Sequence, residues 1–203
     1  MADQLPHTPE TEPLTRIQVL MAMGATALFL LGIAKIWQRV GGIPLLPLSW
    51  MGNAVLLGIG LGLAISATSA VVYRLWPAYR QSANLYLEMV VKPLAWPDLV
   101  WLGLLPGLSE ELLFRGVMLP ALGLNWIGLT ISSLCFGALH LSSLKHWPYM
   151  LWAMTVGGVL GASALSTGNL FVPLAAHVVT NLISSCFWKW KYERNGNSSS
   201  NRA

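Results

Sequence analysis

Apolar residues fall in long blocks separated by short polar breaks, a pattern of buried or membrane helices and not of amphipathic surface helices. The blocks run from Ile17 to Trp37, Trp50 to Tyr73, Asp98 to Leu122, Trp126 to Leu144, Pro148 to Leu165 and Asn169 to Trp188. Each approaches the roughly 17 to 25 residues needed to cross a bilayer. Gly41-Gly42-Ile43-Pro44 and Pro47 break the chain after the first block. Between the second and third, residues 74–97 mix Arg74, Arg80, Glu88 and Lys92 with Trp76, Tyr79, Tyr86 and Trp96. That mixture suits a helix lying in the interface plane, either a connector or the cover of a site entrance. The pattern predicts an all-α polytopic membrane helix bundle of about six transmembrane helices plus this interfacial helix. Gly58 and Gly62 form a G-x-x-x-G pair, which serves close helix contact or is ordinary membrane-helix glycine.

Composition agrees. Of 203 residues, 55% are hydrophobic and 10% charged, with a mean hydropathy of +0.58, against about 25% charged in soluble domains. The net charge of +4 comes from basic residues in the breaks between apolar blocks, which makes them topology signals and argues against a nucleic-acid surface. With both termini placed in the cytoplasm, nine basic residues collect on that side against Lys35 and Arg39 on the other. Tryptophans 37, 50, 76, 96, 126, 147, 188 and 190 fall at the ends of blocks, as an aromatic belt requires. Cys135 and Cys186 lie in apolar stretches as free, packed thiols.

The organisation expected is a disordered tail over 1–15, two membrane helices and the connector over 16–94, a catalytic membrane domain over 95–190, and a disordered tail over 191–203. The first tail lacks the basic start of a cleaved signal peptide. Asn197-Ser198-Ser199 fits the glycosylation pattern, a short match that arises readily by chance.

Against this background a few polar residues stand out. Glu110, Glu111 and Arg115 occur within six residues of an apolar block, and His140, His177 and Asn181 occur in two others. Ionisable groups in hydrocarbon cost several kcal/mol each, so such residues mark a site. A rise of about 1.5 Å per residue puts Glu110 and Asn181 roughly 18 Å, His140 roughly 21 Å and His177 roughly 12 Å from the same side, close enough to share a layer. Glu111 and Arg115 are four residues apart and face one way, which predicts an intrahelical ion pair. Glu110 points about 100° away and is left free. Phe136 shares a face with His140, as His177 does with Asn181. Taken singly, each of these has a structural role available as an ion pair or interhelical hydrogen bond.

A free carboxylate beside a histidine can hold a water and take its proton. A second imidazole and an amide supply donors for the oxyanion formed when water attacks a carbonyl. This is peptide-bond hydrolysis without a covalent enzyme intermediate. Serine chemistry fits less well because no G-x-S-x-G elbow occurs. Glu110, His140 and His177 also match the two-His-one-carboxylate set of catalytic zinc, although no H-E-x-x-H occurs, so zinc stays open.

The sequence Glu110-Glu111-x-x-x-Arg115, then Phe136-x-x-x-His140, then His177-x-x-x-Asn181 resembles the three motifs of the CAAX prenyl protease and bacteriocin-processing (Abi) family of intramembrane endopeptidases, over about residues 95–190. The resemblance implies that Glu110 and His140 activate water, that His177 and Asn181 stabilise the oxyanion, and that Glu111, Arg115 and Phe136 support the site, with no cofactor required. It also implies a peptide or membrane-protein tail as substrate, of CAAX or bacteriocin type, and the lipid bilayer as surroundings. The wording around the motifs looks bacterial or cyanobacterial, which suggests an inner or thylakoid membrane. A non-catalytic scaffold or immunity protein is the competing reading, and a proton-coupled transporter a third, disfavoured by the lack of an inverted repeat.

Overall fold

The computed structural model describes residues 13–200, with side chains through 195. The expected disorder of residues 1–12 and 201–203 and the glycosylation pattern at Asn197 lie outside the described residues and side chains. Eight α-helices follow in order: α1 (Arg16–Gly41), α2 (Gly52–Leu75), α3 (Pro77–Val91), α4 (Leu99–Glu111), α5 (Leu119–Leu122), α6 (Trp126–Ala138), α7 (Trp147–Thr167) and α8 (Phe171–Ser200). A π-helical segment, Leu112–Met118, joins α4 to α5, and no strand occurs among the described residues.

Local chemistry sets several ends. Thr15 and Gln18 form a capping box at the start of α1, and Gly42, at φ 59°, supplies the left-handed residue that ends it. The Asn125 side chain accepts from the N–H groups of Ile127 and Gly128 to start α6.

The apolar blocks and the helices differ in three places. Four helices, α1, α2, Leu144–Thr167 and Phe171–Asn195, are long and apolar enough to span a membrane. The expected span over 98–122 is divided by the π-helix, where Pro120 has no N–H to close an α-helical turn onto Gly116. The block over 126–144 is helical only through Ala138, 13 residues, or about 20 Å of helix. The disordered tail expected from residue 191 is instead a continuation of α8. That extension carries its own i,i+4 pairs, with Lys189 3.5 Å from Glu193 and Trp188 stacked 5.1 Å from Tyr192. Trp96 also donates to Glu193 at 3.1 Å.

The bundle is assembled around α8 through glycines. A Cβ added at Gly58 of α2 would lie 2.6 Å from the Ala175 Cβ, and one at Gly62 would lie 2.8 Å from the Ala176 carbonyl oxygen. On the other side, Gly103 and Gly107 of α4 would meet Leu182 and Val178 of α8 at 2.7 and 2.6 Å. Hydrocarbon gives little drive for apolar helices to associate, so close backbone approach at small residues supplies the packing energy. This resolves the G-x-x-x-G alternative in favour of helix contact. The N-terminal helices are part of the same core: Leu30 and Ala34 of α1 pack with Leu113, Phe114, Val117 and Phe136.

The described ends are tied as well. Arg16 donates to both oxygens of Asp98 at 2.7 and 2.8 Å, and Asp98 also accepts from the Ala95 N–H. These bonds hold the Asp98 carboxyl below its ordinary range, the Arg16 hydrogen bond first and the Ala95 N–H second. The start of α1, the start of α4 and, through Trp96 and Glu193, the end of α8 therefore meet at one end of the bundle. At the other, Asn169 bonds the Ser49 backbone and Leu170 donates to the Pro47 carbonyl.

Gly62→Leu should lower the thermal unfolding midpoint in detergent, costing about 1–3 kcal/mol through overpacking against the Ala176 carbonyl. Gly60→Leu, where nothing lies within 4 Å of an added Cβ, should leave it unchanged. Because the Asp98 carboxyl is depressed, its contribution is present above the unfolded value near 3.8 and lost as pH falls through the folded value. The melting difference between wild type and Asp98→Asn should accordingly be largest near neutral pH and vanish in strong acid.

Candidate active site

The site forms where the C-terminal end of α4, the end of α6 and the N-terminal part of α8 converge. Glu111, fully buried, accepts from Arg115 Nη1 at 2.6 Å and from His177 Nδ1 at 2.7 Å, both through Oε1. The Arg115–Glu111 pair is the one the i,i+4 spacing predicts; the His177 bond, 66 residues away in sequence, was not anticipated by the assignment of Glu111 to Arg115 alone. Arg115 Nη2 donates in addition to the Gly157 carbonyl at 2.9 Å. At Gly157 an added Cβ would sit 3.3 Å from that same nitrogen, so the glycine lets the guanidinium reach the α7 backbone.

Glu110 stands apart, as its angular position predicts. Its Oε2 is buried without a hydrogen-bond partner and lies 4.0 Å from His140 Nε2 and 4.0 Å from His177 Nε2. The sequence thus pointed to three groups that the fold brings together. Asn181 follows His177 by one turn of α8, half-buried, and its side-chain amide makes no hydrogen bond among the described residues.

His140 is not on a helix, contrary to its expected place in a span over 126–144. It lies in the turn after α6, and its Nδ1 is 2.9 Å from the Phe136 carbonyl. A carbonyl only accepts, so Nδ1 carries the proton, and the bond satisfies a carbonyl orphaned by the end of α6. The same reasoning applies at His177, whose Nδ1 faces a carboxylate. In the neutral imidazoles both Nε2 atoms are therefore acceptors, and both point toward an acceptor oxygen of Glu110. This differs from the donor expected of His177: its Nε2 donates only when the ring is an imidazolium.

Phe136 connects these parts. Its ring centroid is 4.9 Å from that of His140 and 5.8 Å from that of His177, and the Arg115 guanidinium lies 4.4 Å above it. Phe114 meets it edge to face at 5.3 Å. Sequence reasoning placed Tyr79 and Tyr86 on the interfacial connector, one of whose readings was the cover of a site entrance, and missed Gly157 and Tyr149.

An all-helical, apolar bundle with four helices long enough to cross a membrane defines a polytopic integral membrane protein, here with a buried Glu/His/Arg cluster. Residues 92–183 match the family of type II CAAX prenyl endopeptidase Rce1-like proteins. The chain is also similar to the uncharacterized protein YpbD of Bacillus subtilis, 25% identical over 185 residues covering 89% of this chain and 90% of the relative. An uncharacterized 24.3 kDa protein of Escherichia coli is 25% identical over 176 residues, 81% of this chain and 78% of its own. No solved structure matches.

Arg115→Met, which removes the cation and leaves a fully buried carboxylate, should lower unfolding stability by about 3–5 kcal/mol in a detergent denaturation assay. The double change Arg115→Met with Glu111→Gln should recover part of that loss.

Proposed function

We propose that this protein is an intramembrane endopeptidase that hydrolyses a peptide bond with water activated by Glu110 and histidine. The observation that carries the reading is the convergence of His140 Nε2 and His177 Nε2 on the unpartnered Glu110 Oε2, 4.0 Å each. Groups at that separation are too far apart to bond directly, and hydrogen bonds of about 2.8 Å to one shared water span 4.0 Å at an angle near 90°. Three acceptors facing one point favour a molecule that brings two donors, which water does.

Glu110 takes a water proton as the oxygen attacks the scissile carbonyl carbon, and the C–N bond breaks as Glu110 returns that proton to the leaving amine. His140 holds the water through Nε2. Asn181 supplies an N–H to the oxyanion, joined by His177 when its ring is protonated with Glu111 as counter-ion. Glu111, Arg115 and Phe136 hold these groups in place. Zinc is the second reading, since two imidazoles and a carboxylate converge. Tetrahedral donors at about 2.0–2.1 Å from zinc are about 3.3 Å apart, so the observed 4.0 Å would have to contract by more than half an ångström.

The family match supports a membrane-associated protein tail of CAAX type as substrate, and the motif resemblance adds a bacteriocin-type peptide as the alternative. The basic residues near the end shared by α1 and α8 support placing both termini in the cytoplasm, with six crossings of a bacterial inner or thylakoid membrane if the shorter helices also span. The domain division into 16–94 and a catalytic 95–190 follows the same reading.

Glu110→Ala and His140→Ala should each lower the cleavage rate by about 10²–10⁴-fold while the protein still inserts. Asn181→Ala should lower kcat by about 10²–10³-fold. Substrate trapped on Glu110→Ala protein and identified by mass spectrometry supplies the assay peptide. Cleavage at the wild-type rate by Glu110→Ala would refute the mechanism, and stoichiometric zinc in the purified active enzyme would replace it with the metal reading. Full complementation of a deletion strain by Glu110→Ala would favour the scaffold function.

A further inference from the structure

Beside the Glu/His cluster, three tyrosines from α3 and α7 form a continuous aromatic wall. Tyr149 of α7 has its ring 6.1 Å from the His140 imidazole. Tyr86 of α3 stacks on Tyr149 at 5.0 Å, and Tyr79, about two turns earlier on the same face of α3, stacks on it at 6.3 Å with the rings 7° from parallel. Trp76 and Trp152 extend the wall from Tyr79 at 6.1 and 5.8 Å.

Packing alone does not account for the phenols. Buried tyrosine hydroxyls ordinarily find a partner, and Tyr73 nearby does so, donating to Asn84 Oδ1 at 2.7 Å. The hydroxyls of Tyr79, Tyr86 and Tyr149 make no hydrogen bond among the described residues. Nor are they sealed off: the fully enclosed side-chain polar atoms that lack a partner are Glu110 Oε2 and Glu111 Oε2 among the described residues. Each of the three phenol oxygens is therefore reachable from outside the protein, and the Tyr149 ring borders His140. Burial, with a smaller contribution from the Glu110 charge, pushes the Tyr86 phenol up to about 12, which keeps it a hydrogen-bond donor at neutral pH.

We propose that Tyr86 and Tyr149 contact the substrate directly, their phenol O–H groups donating to backbone carbonyls of the peptide segment that flanks the scissile bond. The inference rests on the endopeptidase reading and adds to it a specificity surface shared by α3 and α7. A peptide held in extended form presents unpaired carbonyls, and donors placed on a rigid aromatic stack meet them at little entropic cost. Stacking needs only the rings; hydrogen bonding needs the hydroxyls. The two roles are separable by single-atom substitutions.

The test uses the full-length protein in detergent with a fluorogenic farnesylated CAAX peptide as probe. Wild type should cleave it, and Glu110→Gln should not. Tyr86→Phe and Tyr149→Phe should each raise KM by roughly 3–10-fold, the worth of one neutral hydrogen bond, with kcat within about twofold of wild type. Both should melt at the wild-type temperature because the stack is retained. Active Phe variants with wild-type KM would overturn the inference and leave the endopeptidase reading standing. A wild-type enzyme that cuts neither this probe nor the peptide trapped on Glu110→Ala protein, with Glu110→Gln behaving identically, would overturn both.

Discussion

Arg115, Glu111 and His177 form a buried chain of charge-assisted hydrogen bonds on which the rest of the site depends. A carboxylate with no solvent exposure is tolerable only with a cation beside it, and the cation must satisfy its remaining donors elsewhere. Arg115 does this at the Gly157 carbonyl and over the Phe136 ring. One ion pair thereby joins the π-helical segment to α6, α7 and α8. Its chemical consequence lies at His177, where a carboxylate at Nδ1 fixes the tautomer and turns Nε2 toward Glu110.

The adjacent carboxylates consequently do different work. Glu111 is saturated at Oε1 by two donors and serves as an anchor, whereas Glu110 keeps Oε2 unpartnered and faces two imidazole nitrogens. A turn of about 100° between neighbouring helical residues is enough to separate the roles. The π-helix that begins at Leu112 lies directly after the pair, at the kind of position where such irregular turns accompany function. His140 reaches the same point by a different route, from a turn held by its own bond to the Phe136 carbonyl.

Glycine packing makes this convergence possible. Gly58 and Gly62 on one side and Gly103 and Gly107 on the other bring α2 and α4 against α8, the helix that carries His177 and Asn181. Larger residues at these positions would hold the helices apart, and a hydrogen bond of 2.7 Å from His177 to Glu111 leaves little tolerance for displacement. In hydrocarbon, close packing and polar bonding reinforce each other, since neither is driven by the exclusion of water.

Much of this was legible in the chain. Long apolar blocks announce membrane helices because a bilayer demands length and hydrophobicity, and rare ionisable residues within them announce a site because hydrocarbon penalises them. The Glu111–Arg115 pair and the freedom of Glu110 follow from helical periodicity, which depends only on neighbours in sequence. Other features depend on groups distant in sequence. The bond from Glu111 to His177, the reach of Arg115 to Gly157 and the placement of Tyr86 on Tyr149 require three helices to meet. The block over 126–144 reads as one span because hydropathy does not register where hydrogen bonding stops, and only the fold shows α6 ending at Ala138 with His140 in the turn beyond. The helical continuation past residue 190 was hidden for a similar reason, since a polar composition reads as disorder until Trp96 supplies Glu193 with a partner from across the bundle. Sequence determined which residues were too costly to bury without purpose; tertiary structure decided which of them face one another, because the directions of side chains on separate helices are set by packing and not by spacing along the chain.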